Sequence, residues 1–237
     1  MIPTIIMLCG WAHPARALKP LANAFIRDHE VILLSTQELE DYAAGLVRLI
    51  RERSIPPFLL GWSMGGLIAL QAAANPSVSV AGLILAGATP RFCSDEDFPH
   101  GTPARNVRAL SIAIRKDALA ALSQFMQDAA HPSRPSSSTI QTRVGQALEF
   151  GTPRLCDDLR FLQETDERAS LAAIRAPALI LHGREDRVIP WQASEWMSER
   201  LPHSRLRILD GAGHQRPLQR PDLIYDEARR YFSETPE

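Results

Sequence analysis

Three residues stand in settings that suit covalent acyl transfer: Ser63, Asp186 and His214. Ser63 lies in Gly61-Trp62-Ser63-Met64-Gly65-Gly66, which fits Gly-x-Ser-x-Gly. The apolar run Phe58–Trp62 precedes it and the Ala- and Leu-dense stretch Met64–Ala74 follows. A strand, a sharp turn and a helix are expected there. Such a turn holds the serine in a strained backbone conformation, and side chains at positions 61 and 65 would clash. The helix that follows points its N-terminus at the serine, which favours developing negative charge.

A serine hydroxyl is a weak nucleophile and needs a base, which an acid must orient. The acid comes next along the chain, in Leu181-His-Gly-Arg-Glu-Asp186-Arg-Val-Ile-Pro190. Glu185 is its rival. The Gly183-x-x-Asp186-x-x-x-Pro190 spacing favours Asp186, and Glu185 reads as a solvated loop charge. The base is His214, in Ile208-Leu-Asp-Gly-Ala-Gly-His214, where an apolar run enters a glycine-rich loop. Of seven histidines it alone combines a post-strand loop with a place after the acid. His182 reads as a strand-end residue, and His13 as a surface residue rather than one lining the pocket. An oxyanion hole needs two aimed backbone N–H groups. Met64, just after the nucleophile, supplies one. Trp11, in Cys9-Gly10-Trp11-Ala12, is the candidate for the other, and its indole could wall the acyl pocket or only pack.

Six short apolar runs must position these residues: Thr4–Leu8, Glu30–Leu34, Phe58–Trp62, Ala81–Ala86, Ala178–Leu181 and Leu206–Leu209. Continuous apolar runs suit strands buried on both faces. Helical spacing separates them over Glu38–Arg53, Met64–Ala74, Trp191–Leu201 and Pro221–Phe232. Alternating strand and helix predicts an α/β fold with a doubly wound, mostly parallel sheet of about six strands. Residues 90–169 break the rhythm with helical patterns over Val107–Ile114, Ala118–Met126 and Leu155–Leu162, and no clear strand. They are expected to form a helical cap, with 1–89 and 170–237 as the core.

Composition narrows the function. The 237 residues suit one α/β domain with a small insertion. At 45% hydrophobic and 22% charged, the chain reads as an ordinary globular protein. A formal net charge of -1 gives no sign of nucleic-acid binding or of attraction to an anionic membrane. Cys9, Cys93 and Cys156 form no Cys-x-x-Cys pair, so neither a zinc site nor a disulfide framework is expected. The apolar start lacks a basic n-region, and no run of about 18 apolar residues exists for a membrane span. A cytoplasmic monomer without metal or cofactor is the expectation.

Together, Leu8-Cys-Gly-Trp11, Gly-Trp-Ser63-Met-Gly-Gly, Gly-Arg-Glu-Asp186 and Gly-Ala-Gly-His214 make the chain resemble the α/β-hydrolase superfamily. Within it, the chain is most similar to the pimeloyl-[acyl-carrier protein] methyl ester esterases of biotin synthesis. Ala88-Thr-Pro-Arg-Phe92, Asp97-Phe-Pro-His-Gly101 and Arg154–Asp166 carry that closer likeness. Two features depart from it. Cys9 stands where the family usually has His, and the two strands that usually open the superfamily sheet are trimmed. The resemblance implies a serine carboxylester hydrolase with an acyl-Ser63 intermediate. It implies an acyl ester substrate and a cap that meets the acyl-carrier protein, with Arg143, Arg154 and Arg160 as candidate docking cations. It also makes Phe125 a candidate channel residue. Alternatives on the same residues are a carbon–carbon lyase of the menaquinone-pathway type and a general esterase or thioesterase. A non-catalytic binding protein is the remote one.

Overall fold

The structure is a computed structural model that describes residues 2–215 and 219–234. Its centre is a parallel sheet of six strands: β1 (Thr4–Leu8), β2 (Glu30–Leu34), β3 (Phe58–Trp62), β4 (Gly82–Ala86), β5 (Ala178–Gly183) and β6 (Ser204–Leu209). Their order is β2-β1-β3-β4-β5-β6. The predicted runs and the observed strands coincide within two residues at each end.

Side chains alternate between the two faces of a strand, and the core divides accordingly. Ile6, Leu8, Leu59, Leu83 and Ile180 face α2 (Tyr42–Arg51), α3 (Met64–Ala73) and α8 (Gln192–Ser198). Ile5, Met7, Leu60, Ile84 and Leu179 face α1 (Lys19–Phe25) and α9 (Pro221–Glu234). Both faces are covered along β1, β3, β4 and β5, which read as continuous apolar runs, whereas the edge strand β6 alternates, with Arg205 and Arg207 exposed.

The chain goes from β1 outward to β2, then returns past β1 to β3. The direction therefore switches between β1 and β3. Ligands of open α/β sheets bind at the carboxyl ends of strands beside such a switch. Cys9–Ala12 leave β1 there, and Ser63 leaves β3.

Four helices separate β4 from β5: α4 (Ala104–Lys116), α5 (Ala118–Ala130), α6 (Ser137–Leu148) and α7 (Gly151–Glu164). Where this insertion leaves and rejoins the sheet, its two ends are clasped. The Glu167 N–H donates to the Pro90 carbonyl at 2.8 Å. Arg91 and Arg168 both pair with Asp95 and Asp166. Among the described residues, no helix is long and apolar enough to cross a membrane.

Candidate active site

Ser63 sits between β3 and α3 with φ 55° and ψ −121°. A non-glycine residue in that region carries strain that its surroundings must hold. They do so by close packing. A Cβ at Gly61 would lie 2.4 Å from Gly66 Cα, and one at Gly65 would lie 2.4 Å from the Leu8 carbonyl oxygen. The Ser63 N–H donates to the Ala86 carbonyl at 2.9 Å, anchoring the turn to β4.

The structure brings Ser63, His214 and Asp186 into one line. Ser63 Oγ lies 2.9 Å from His214 Nε2, and His214 Nδ1 lies 2.7 Å from Asp186 Oδ2. The other oxygen, Oδ1, accepts from the Val188 and Ile189 N–H groups at 2.7 and 2.9 Å. The Asp186 side chain is fully buried. Burial works to raise its pKa, but the His214 and His182 imidazoles hold the carboxylate well below its usual range. In this geometry the imidazole can take the serine proton as Oγ attacks a carbonyl carbon, while the carboxylate stabilises the resulting imidazolium. The Trp62 indole donates to the His214 carbonyl at 3.1 Å, fixing the loop behind the ring.

Met64 opens α3, so its N–H has no partner one turn back. Trp11 follows Gly10 at the end of the β1 loop. Its indole donates to the Leu155 carbonyl of α7 at 3.0 Å, and its ring meets Phe125 edge-on at 4.7 Å. Trp11, Ser63 and Phe125 share the wall of a cavity of about 220 Å³. Leu110, Leu159 and Leu162 keep it apolar, while Asp128 and Arg187 stand in its lining. The same two residues also line a larger polar groove of about 610 Å³ between α5 and α6.

Four residues differ from their sequence reading. His13 is buried, not on the surface. Its Nδ1–H donates to the Trp11 carbonyl at 2.8 Å, and burial pushes its pKa down to about 4. Glu185 is only partly exposed, and its Oε2 is buried without a hydrogen bond among the described residues. Arg143 donates to Gln215 Oε1 at 2.5 Å, and burial lowers its pKa. Arg154 lies over the Tyr42 ring and donates to the buried Asp158 at 2.9 Å. Thr36 and Tyr42 also donate to that carboxylate. Both arginines thus join the insertion to the sheet loops and are not free docking charges. Arg160 is exposed and pairs with Asp157.

Sequence reasoning missed Trp62, Gln215 and the role of His182, whose contacts come from residues remote in sequence. Cys9 is buried beside the Pro14 carbonyl, and desolvation drives its thiol pKa up, so it stays a thiol. All three cysteines are free.

A model of the alpha/beta hydrolase family matches residues 5–227. The chain belongs to the α/β hydrolase family. Among its relatives is the pimeloyl-[acyl-carrier protein] methyl ester esterase of Aromatoleum aromaticum, 29% identical, with 96% of this chain and 98% of that protein covered. The protein of the same name from Chromobacterium violaceum is 30% identical over 90% of this chain and 87% of its own. The esterase of Exiguobacterium antarcticum superposes with a TM-score of 0.86 at 25% identity, covering 98% of this chain and 92% of that one. MenH from S. aureus, at 19% identity and a TM-score of 0.75 over 99% and 94% of the two chains, shares the fold.

Proposed function

We propose that this carboxylic ester hydrolase cleaves the methyl ester of pimeloyl-[acyl-carrier protein] in biotin synthesis. The supporting observation is a hydrogen-bonded Ser63–His214–Asp186 line beside an apolar cavity lined by the inserted helices α4, α5 and α7. The printed names of the relatives support the choice of substrate.

In this reading Ser63 Oγ attacks the ester carbonyl as His214 takes its proton. The Met64 and Trp11 N–H groups hold the oxyanion. His214 then protonates the departing methoxide, which leaves as methanol. Water, deprotonated by His214, attacks the acyl-Ser63 carbonyl and frees the carboxylate. Residues 90–169 act as the cap, and Phe125 shapes the acyl channel. The polar groove at Asp128 and Arg187 gives the carrier's arm a way out.

The carrier would dock on the outer face of α4. Arg105, Arg108, Ile112 and Arg115 share that face at spacings of three and four residues. All four are exposed, Ile112 by 64%. Exposed arginines flanking an exposed aliphatic suit an acidic protein helix.

The test is methanol release from the carrier-bound methyl ester, compared with a panel of short free esters. The proposal expects kcat/KM at least about tenfold higher on the carrier substrate. Equal or better hydrolysis of the free esters would make the enzyme a general esterase. Growth of a biotin auxotroph lacking its own esterase would agree with the first outcome.

A further inference from the structure

Asp186 carries a second imidazole. His182, at the end of β5, is fully buried, and its Nε2 lies 3.2 Å from the Asp186 Oδ2 that His214 also uses. That nitrogen is also 3.0 Å from the Ile189 carbonyl oxygen. A carbonyl only accepts, so Nε2 bears a proton and shares it between the two oxygens. On the other side of the ring, Nδ1 lies 2.6 Å from the Ser194 hydroxyl, which is 3.1 Å from the Ala88 carbonyl. Ser194 thus ties the Nδ1 side of the ring to the loop after β4, and the Ile189 carbonyl places a proton on Nε2.

We propose that His182 is a positioning residue for the reaction: it pins Asp186 Oδ2 opposite His214 and tempers the charge that His214 feels. The inference rests on the reading of Ser63, His214 and Asp186 as the reacting line. Backbone N–H groups occupy Oδ1. Without His182, Oδ2 would be held by His214 alone among the described residues, and the carboxylate could rotate with that ring. The Ser194 bond carries the restraint to α8, and the Ala88 contact carries it to the loop after β4. A donor on Oδ2 also draws negative charge away from His214. Removing it leaves a more attractive anion beside His214, so the imidazolium forms at higher pH.

Other charged groups surround this pair. His13 leaves the β1 loop, and Arg143 on α6 lies near it. Glu185 and Arg187 flank Asp186 in sequence, and Asp128 on α5 shares the cavity lining with Arg187. None of them is altered in the variants below, so a change in the pH profile reports on His182.

The experiment measures kcat and KM against pH on a small free ester, which needs no carrier. His182→Leu removes the hydrogen bonds of both ring nitrogens. His182→Gln places an amide N–H near the lost Nε2. His182→Asn reaches only toward Ser194. In wild type, kcat/KM rises as His214 loses its proton. This limb is expected to move up by about half a unit to one unit in His182→Leu and His182→Asn, and to return toward wild type in His182→Gln. kcat should fall roughly tenfold at unchanged KM, well short of the ~10⁴ expected for loss of the carboxylate's function. An unmoved limb in both Leu and Asn variants, or an equal shift in Gln and Leu, would overturn the proposal and leave His182 a packing residue. If those variants do not fold, Ser194→Ala decides the matter. It should shift the limb in the same direction by less, and move the downfield proton resonance of the His214–Asp186 bond. No change in either would overturn the proposal. Failure of the underlying reading looks different: Ser63→Ala would retain the esterase activity.

Discussion

The loops that end β1, β3, β5 and β6 and the four inserted helices are held in place by different means. The Ser63 turn is fixed by close backbone packing of Gly61 against Gly66 and of Gly65 against Leu8, and by a bond to β4. Asp186 is fixed by two backbone donors and two imidazoles, with its side chain fully buried. The insertion instead meets the sheet loops through side chains. They include Trp11 on the Leu155 carbonyl, Arg143 on Gln215, and Asp158 with Thr36 and Tyr42. At its base, the Arg91/Arg168 clasp adds partly exposed ion pairs. Close-packed backbone tolerates little displacement. The partly exposed ion pairs of the clasp are softer and more easily screened. The sheet end therefore fixes the reacting atoms, and in the proposed reading the insertion adapts to the acyl chain and its carrier. Changes on the sheet side should act on kcat. Changes on the insertion should act on substrate choice.

Ser63→Ala tests the rigid side most severely. One oxygen is lost from a site whose turn is held by glycines, so the melting temperature should stay near wild type. Turnover should fall by roughly 10³- to 10⁶-fold, with a residue of activity left to the oxyanion donors. Near-wild-type turnover in a preparation cleared of contaminating esterase would remove Ser63 from the reaction. Asp186→Asn comes next, at about 10⁴-fold in kcat, because the amide favours the wrong His214 tautomer. Glu185→Gln should cost less than about tenfold, since its carboxylate bonds to neither His214 nor Ser63. A reversed order would make Glu185 the acid.

The different kinds of attachment also explain what could be read in the sequence. Six sheet strands, the Gly-Trp-Ser63-Met-Gly-Gly turn and the order Ser, Asp, His are local patterns, and the structure brings those three residues together. His13 and Arg143 were misread, and the contacts of the strand-end His182 were missed, because their surroundings are assembled from distant segments. His182 meets Ser194 of α8 and the loop after β4, and His13 meets Trp62 and Gln215. An arginine in an amphipathic helix looks the same whether it faces solvent or, like Arg143, reaches back to a residue 72 positions later. Burial was also invisible at His13, where Ala12 before it takes a left-handed φ of 59° and turns the loop inward.

On the adaptable side, Phe125 should set acyl length. It stands edge-on to Trp11 in the cavity wall, so Phe125→Ala enlarges the pocket and Phe125→Trp shortens it. The ratio of kcat/KM for long over short acyl esters should change about tenfold, in opposite directions for the two variants. An equal loss on every ester would mean that Phe125 only holds α5 in place. A smaller effect belongs to the α4 face. Arg105, Arg108 and Arg115 replaced together by Ala should raise KM for the carrier-bound ester severalfold and leave a free ester unchanged. Added salt should reproduce that change in the wild type, because exposed charges are screened over about 8–10 Å. Equal sensitivity of both substrates would place docking elsewhere.

The smallest expected effect lies in the clasp. Burial alone would raise the Asp166 pKa, but hydrogen bonds and charge from Arg168 and Arg91 hold it at about 2, against a usual 3.8. A carboxylate whose pKa is depressed in the folded state stabilises that state above its unfolded pKa, and the contribution is lost as pH falls through the folded value. The clasp should therefore be intact above about pH 4 and gone near pH 2. Its side chains are partly exposed, so the contribution after solvent screening is under about 1 kcal/mol. Arg168→Ala checks the sign. Its urea midpoint should lie below that of wild type near neutral pH, and the gap should close as pH falls from 4 toward 2. Esterase activity on a small free ester should change little at neutral pH, because the clasp touches neither Ser63 nor His214. A gap that persists at the acid end would mean Arg168 stabilises the insertion by packing over the Phe98 ring, 5.7 Å from its guanidinium, and not through Asp166. A large loss of activity with no change in midpoint would instead join the base of the insertion to the reacting line, against the division between rigid loops and adaptable helices.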